Sequence, residues 1–197
     1  MTAFGFTLFD TGIGRCGIAW SDRGIAAVQL PEAYELKTRA RLLKRCPDAR
    51  DAPPPAVVQC AIDGIVALLR GEASDLSVVA LDMDGVEPFA RRVYELARTI
   101  APGATLTYGD IAARLGDRGL ARDVGQALGR NPFPLIVPCH RVLAAGGKVG
   151  GFSANGGVAT KLRLLSIEGA RMTDAPTLFD GDRAFGLAIK PTRRNTG

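Results

Sequence analysis

The chain has 197 residues, 47% of them hydrophobic and 23% charged, with a mean hydropathy of +0.10. This is the composition of a globular protein of one domain or two small ones, able to bury a core. No apolar run approaches the roughly 18 residues that span a bilayer, and Met1-Thr2-Ala3-Phe4-Gly5-Phe6 lacks the basic start of a secretory leader. The four cysteines (Cys16, Cys46, Cys60, Cys139) are scattered, and with a single histidine they make a poor zinc set. Reduced thiols in a cytoplasmic, metal-free protein are the expectation. Net charge is +5, unevenly spread: residues 1–87 carry 9 basic and 12 acidic side chains, residues 88–170 carry 11 and 5, and residues 171–197 carry 5 and 3. The basic excess therefore sits in the second half, as expected if that half meets a polyanion.

In chain order, the first thirty residues read as an antiparallel meander. Phe4–Phe9, Cys16–Trp20 and Ile25–Leu30 are strand-like and are separated by turn-forming segments at 10–14 and 21–24. Gly12, Gly14 and Gly17 match a dinucleotide fingerprint, but no helix opens there, so a hairpin loop is expected instead. Glu32–Cys46 is basic and helix-prone, and Asp51–Pro55 is an extended linker. Val57–Leu69 has amphipathic helical spacing, and Leu76–Leu81 reads as a strand. Asp82-Met83-Asp84-Gly85 starts like a calcium loop, but Val93 stands where the closing glutamate is needed, so a turn is expected. The segment Asp82–Pro88 is taken as a boundary, giving regions 1–87, 88–170 and a tail 171–197.

From Phe89 the pattern is helical, with Phe89, Val93, Leu96 and Ile100 on one face and Pro102-Gly103 as the stop. Thr107 can cap a short helix over Tyr108–Leu115, Gly116–Gly119 turns, and a second helix runs from Leu120 to about Leu128. The pair is either a helix-turn-helix or an ordinary helical hairpin. Leu135-Ile136-Val137 reads as a short buried strand ending at Pro138. Gly146–Gly157 is a loop with six glycines, and Ala159–Ile167 is a closing helix.

The segment Asn131–Leu143 holds the chemistry. Cys139 adjoins His140, the only histidine in the chain. A free thiol (pKa about 8.5) is mostly protonated at neutral pH, so it needs a base or a positive setting to react. Alone, this pair reads equally as a small buried hydrophobe beside a core histidine.

The motif Val137-Pro138-Cys139-His140-Arg141-Val142-Leu143 resembles the active-site signature of the O6-alkylguanine-DNA alkyltransferases. The likeness runs from Phe89 to Gly169, through Thr107–Ala112, Arg122-Asp123-Val124-Gly125, Asn131-Pro132 and Lys161–Gly169. It implies an α+β protein: an N-terminal ribonuclease-H-like domain with a small antiparallel sheet, and a mostly helical, winged-helix-like C-terminal domain with a helix-turn-helix. It also implies a suicidal repair reaction on double-stranded DNA carrying O6-alkylguanine or O4-alkylthymine, by a monomer without cofactor.

By that resemblance Cys139 accepts the alkyl group, His140 acts as its base through a water, and Glu168 orients the imidazole. Tyr108 donates to the departing purine. Arg122 enters the base stack from the minor groove, with Gly119, Ala121 and Gly125 allowing close approach and Asn131 tying the second helix to the active-site loop. The pocket is assigned to Val142, Phe152, Ser153, Leu128 and Pro134. The family's lid tyrosine is Phe152 here, and Ala154 and Asn155 are two extra residues before Gly156-Gly157. Three other readings stay open: a non-catalytic lesion binder, a cysteine hydrolase and a helix-turn-helix regulator. In the tail, Ala175–Phe179 ends in the Leu-Phe of sliding-clamp peptides without their glutamine. An apolar pair packing back on the domain is the preferred expectation.

Overall fold

Two tight turns build the sheet of the N-terminal region. In the computed structural model, which describes residues 5–170, β1 (Gly5–Thr11) and β2 (Gly14–Ser21) pair antiparallel around Gly12-Ile13, so the glycines of the apparent fingerprint lie in a hairpin. β3 (Gly24–Gln29) returns antiparallel to β2. Gly24 sits at φ +135°, and a Cβ there would fall 2.5 Å from the Ala80 carbonyl oxygen, so only glycine fits this turn. The clamp-like segment of the tail lies outside the described residues.

The sheet is mixed rather than purely antiparallel. After α1 (Glu35–Arg45), the two-residue β4 (Arg50–Asp51) joins β1 in parallel, giving the order β3-β2-β1-β4. Part of the expected linker is thus an edge strand, and Pro53–Pro55 then leads into α2 (Ala56–Leu68). Period-two alternation sorts the two faces. Phe6, Ala19 and Ala27 pack under α1 with Leu42 and Cys46, whereas Ile18, Trp20 and Val28 join the core that holds Val58, Ile62 and Ile65 of α2.

Leu76–Leu81 is not a strand. It makes one isolated bridge, Ile25 to Leu81. Asp75 turns the chain by accepting from the Ser77 amide (2.8 Å), and the Arg98 guanidinium donates to the carbonyls of Leu76, Ser77 and Val79. The Leu76 carbonyl also accepts the Val79 amide (3.3 Å), so the segment is folded as a turn around Arg98 and offers no extended edge to a ladder. Asp82 is buried and accepts from the Ser21 hydroxyl (2.7 Å) and from Arg23 (3.1 Å), which makes the acidic stretch a structural turn.

The second half opens with α3 (Pro88–Arg98), whose proline sits at the first turn, where no amide donor is needed. β5 (Leu106–Thr107) leads into α4 (Tyr108–Arg114). Thr107 and Asp110 form a reciprocal capping box: the Thr107 hydroxyl accepts from the Asp110 amide at 3.0 Å, and the Asp110 carboxylate accepts from the Thr107 amide at 2.8 Å. A 3-10 turn over Arg118–Leu120, capped by Asp117, delivers α5 (Ala121–Gly129). Tyr94 of α3 donates to the Ala127 carbonyl at 3.0 Å and meets Phe133 edge to face, fixing α5 on the core.

Leu135–Val137 is a buried loop, not a strand. Prolines at 132, 134 and 138 remove three amide donors, and Leu135 adopts φ +74°, which breaks any extended run. Cys139–Arg141 follows as a 3-10 turn, and β6 (Val142–Leu143) pairs in parallel with β5. α6 (Val158–Ile167) closes the described chain. The two halves are stitched by Val28 donating to the Pro132 carbonyl (2.8 Å) and Arg163 donating to that of Gly12 (2.8 Å).

Candidate active site

Cys139 begins its 3-10 turn with its amide on the Val137 carbonyl (2.8 Å) and only 9% of its surface exposed. The turn is held from beside it. Asn131 donates from its side chain to the Val137 carbonyl (2.9 Å) and accepts the Phe133 amide (2.9 Å), so one amide group spans the loop. Burial pushes the Cys139 thiol up, while the Asn131 side chain and the Lys161 charge pull it down. The thiol is thus shielded from water and supported by polar neighbours.

Behind it runs a chain of charged groups. His140 Nε2 lies 2.9 Å from Glu168 Oε1, with both side chains almost fully buried. Arg141 grips the same carboxylate with two parallel bonds, Nε to Oε2 and the terminal nitrogen to Oε1, each 2.8 Å. It also donates to the Ile100 carbonyl. This is the fork geometry that suits guanidinium to carboxylate. Burial raises the Glu168 carboxyl, but the hydrogen bonds from His140 and Arg141 outweigh it and hold it at about 2. Burial lowers His140 despite Glu168, so the ring is neutral at pH 7. A neutral ring that faces an anion carries its proton on Nε2, which leaves Nδ1 free to accept one.

Lys161 is the group that the sequence reading missed. It is fully buried, its Nζ donates to the Val142 carbonyl at 2.6 Å, and it stands 5.8 Å above the Tyr108 ring. Burial lowers it to about 8 against the pull of the Cys139 charge. A usable signal was present: Lys161 shares a helix face with the buried Leu164 and Leu165, at spacings of three and four. A lysine on an apolar stripe is a charge kept inside for a reason. Arg141 was likewise passed over as a flank of the cysteine motif.

A cavity of about 450 Å3 opens over the thiol. Tyr108, Gly125 and Leu128 form one wall, Cys139 lies at its base, and Phe152 and Ser153 of the glycine loop form the other wall. Burial, then the Cys139 charge, raises the Tyr108 hydroxyl, so it stays protonated as a donor. The structure therefore brings together Cys139, Tyr108, Leu128, Phe152, Ser153 and Gly125. Pro134 lines an adjoining crevice instead, and Val142 is buried with its carbonyl turned to Lys161. Gly119, Ala121 and Arg122 lie at the start of α5, where Arg122 is exposed, whereas Asn131 is buried in the loop scaffold.

The extra lid residues are ordered by α6. Gly157 donates to the Ala154 carbonyl (3.0 Å), and the Thr160 hydroxyl donates to that of Asn155 (2.6 Å). Gly156, at φ +79°, would place a Cβ 2.5 Å from that hydroxyl, so glycine is required where the loop enters the helix.

A buried cysteine at the base of a half-open cavity, backed by a histidine–carboxylate pair and flanked by two short helices, is an arrangement suited to a cysteine-based group-transfer protein. Residues 88–170 match the family model described as 6-O-methylguanine DNA methyltransferase, DNA binding domain. The chain is 37% identical over 156 residues to the methylated-DNA–protein-cysteine methyltransferase of Methanothermobacter thermautotrophicus, covering 79% of this chain and 80% of the relative. It is 42% identical over 128 residues to that of Mycobacterium tuberculosis, covering 65% and 75%. Among solved structures, that of the Mycobacterium tuberculosis OGT in complex with DNA superposes with a TM-score of 0.67 at 33% identity, over 84% of this chain and 92% of that one. The O6-methylguanine-DNA methyltransferase from Pyrococcus kodakaraensis gives 0.64 at 27% identity, over 84% and 99%. The chain belongs to the methylated-DNA–protein-cysteine methyltransferase family, with the α+β architecture and helical DNA-binding region of its solved relatives. Among the described residues, no helix is long and apolar enough to cross a membrane.

Proposed function

We infer that this protein repairs O6-alkylguanine in double-stranded DNA by moving the alkyl group irreversibly to Cys139, one protein spent per lesion. The observation that carries the reading is the placement of Cys139 at the base of a half-open cavity of about 450 Å3, with His140 held by Glu168 and Arg141 beside it. A base inside a duplex cannot reach this thiol, so it must be flipped out, at a cost of a few kcal/mol. Arg122, exposed at the first turn of α5, fills the vacated space, and the small side chains of Gly119 and Ala121 allow the helix to lie in the minor groove.

Once the base is in the cavity, His140 Nδ1 takes the thiol proton through a water, and the imidazolium formed is stabilised by Glu168. The sulfur attacks the alkyl carbon, the carbon–oxygen bond breaks, and Tyr108 donates to the departing guanine ring. Lys161 stabilises the thiolate before attack, because its buried charge interacts with the sulfur at low dielectric. The product thioether has no labile carbonyl, so nothing regenerates the enzyme. The test is intact mass after incubation with an O6-methylguanine duplex. A gain of one methylene per protein, mapped to Cys139, is expected; continued turnover with unmodified protein would place the chain among cysteine hydrolases instead.

A further inference from the structure

Tyr94, buried on α3, touches both of the elements that must meet for transfer. Its hydroxyl donates to the Ala127 carbonyl at 3.0 Å, in the last turn of α5. Its ring meets that of Phe133 edge to face, with centroids 6.3 Å apart and planes at 87°. Burial, with the Cys139 charge adding to it, pushes the Tyr94 hydroxyl up to about 12, so it remains a donor at neutral pH.

Each contact reaches a part of the site. Along α5, Ala127 lies between Gly125 and Leu128, which wall the base cavity. Carbonyls in the last turn of a helix have no amide one turn further on. That of Ala127 accepts the Arg130 amide at 3.1 Å and the Tyr94 hydroxyl instead. Phe133 belongs to the loop that leads to the thiol. Its amide donates to the Asn131 side chain at 2.9 Å, and its carbonyl accepts the Val137 amide at 2.8 Å, two residues before Cys139. At its far end α3 is anchored in turn, by Arg98 donating to the carbonyls of the 76–79 turn.

The cavity wall on α5 sets where the purine lies, and the loop sets where the sulfur lies. A misplacement of about 1 Å between reacting atoms costs roughly a hundredfold in rate. The direct link from α5 to the loop holds this distance weakly, being a long bond of 3.3 Å from the Asn131 amide to the Leu128 carbonyl. Tyr94 does not line the base cavity, so it acts through Ala127 and Phe133 and not on the substrate.

We propose that Tyr94 is a positioning residue, whose hydroxyl and ring together hold the α5 wall of the base cavity at reacting distance from the Cys139 loop. This rests on Cys139 being the alkyl acceptor.

The test uses the full chain and its Tyr94→Phe, Phe133→Leu and doubly substituted variants, well below their melting temperatures. Thr38→Val serves as control, because it removes another buried hydroxyl contact, the one that accepts the Glu32 amide at 3.0 Å in the N-terminal half. Duplex affinity, the single-turnover rate at saturating O6-methylguanine duplex, and the rate with free O6-benzylguanine are measured for each. Tyr94→Phe should leave duplex affinity unchanged and slow transfer about tenfold on both substrates, since the wall moves relative to the thiol whichever way the base arrives. Phe133→Leu should do the same, and the double variant should lose less than the product of the two losses, because they cut one bridge. Thr38→Val should lower the melting temperature and leave both rates alone. Unchanged rates in Tyr94→Phe, equal slowing by Thr38→Val, or a double loss equal to the product would each overturn the proposal. A change confined to duplex affinity would also overturn it, making Tyr94 a support for DNA contacts. Absence of methyl transfer to Cys139 in the unsubstituted chain would instead defeat the underlying function.

Discussion

Cys16 in the N-terminal sheet and Cys139 in the helical half are both buried thiols, raised by burial, and they differ in the polar groups around them. Around Cys16, burial dominates and the Thr11 hydroxyl does little against it, so the thiol is pushed up to about 12 and behaves as a core residue. Around Cys139, burial also raises the thiol, but the Asn131 side chain and the Lys161 charge pull against it. The N-terminal half spends its buried charges on scaffolding, as in Asp82 with Ser21 and Arg23, or Glu32 with Arg41. The C-terminal half gathers its buried charges, Lys161, Arg141 and Glu168, around the segment that carries Cys139. Burial alone makes a cysteine inert; burial with a paired base and a cation makes it a nucleophile.

The largest effect should come from exchanging the two thiols' fates. Cys139→Ser should abolish alkyl transfer, with duplex affinity nearly intact because groove contacts do not use the thiol. Cys16→Ala should leave transfer unaltered. Mass spectrometry of each variant after an O6-methylguanine duplex decides the comparison, and any methyl on another cysteine in Cys139→Ser would sink it.

Next in size is the buried ion cluster. Glu168→Gln leaves Arg141 facing a neutral amide, and breaking such a pair costs about 3–5 kcal/mol. The sign with pH is fixed by the depressed carboxyl. Its stabilisation is fully present above the ordinary carboxylate range and is lost as pH falls toward about 2. His140 adds in the same direction, since its depressed pKa means the unfolded chain takes up a proton that the folded chain refuses. Thermal melts between pH 7 and 3 should fall steeply in the parent and less so in Glu168→Gln; parallel curves would remove the cluster from the stability argument.

Lys161→Met should slow transfer by about tenfold to a hundredfold, as expected for one lost electrostatic partner in a buried site. Its stability signature runs the other way with pH. Because burial holds Lys161 at about 8 in the folded chain, its penalty is present below pH 8 and disappears as pH rises toward 10.5. The parent should therefore gain stability over that interval relative to Lys161→Met. Equal slopes in the two proteins would show that burial does not lower Lys161 in the folded chain. A smaller, substrate-dependent effect belongs to Arg122→Ala, which should slow duplex repair about tenfold or more while sparing the free base O6-benzylguanine, since only the duplex pays for extrusion. Matching losses on both substrates would make Arg122 a fold residue.

The helical half was more legible than the sheet half. Thr107 could be read as a cap because an oxygen side chain preceded an apolar helix, and Asp110 completed the box at the expected spacing. The meander and α1, α2 and α6 followed from period and turn chemistry. Leu76–Leu81 failed because its carbonyls go to Arg98, a partner twenty residues away that no local pattern exposes. Leu135–Val137 failed because hydrophobicity was read without weighing the three prolines around it. Cys139, His140 and Glu168 were reached through motif likeness, whereas the fork from Arg141 and the role of Lys161 depend on side-chain directions within a buried cluster.

The smallest expected effect lies in the lid, where the two halves meet. A longer glycine-rich loop adds only modest closure entropy, yet here the two extra residues are tied down, Ala154 by the Gly157 amide and Asn155 by the Thr160 hydroxyl. Ala154 also reaches the crevice beside β3, and Phe152 keeps the apolar ring of the family's tyrosine without its hydroxyl. The insertion therefore adds Ala154 to the wall beside Cys139 and is braced on α6, and acceptance of bulky adducts is the expected consequence. Deleting Ala154 and Asn155 should draw Phe152 over the thiol and lower the benzyl-to-methyl rate ratio a few-fold, with the melting temperature dropping slightly as α6 loses its two tethers. Thr160→Val serves as the control, because it cuts one tether and keeps the loop length. If the deletion leaves the ratio unchanged while Thr160→Val shifts it, bracing rather than length sets the preference. If neither moves it, the insertion is a surface elaboration and specificity resides in the walls contributed by α5 and the sheet.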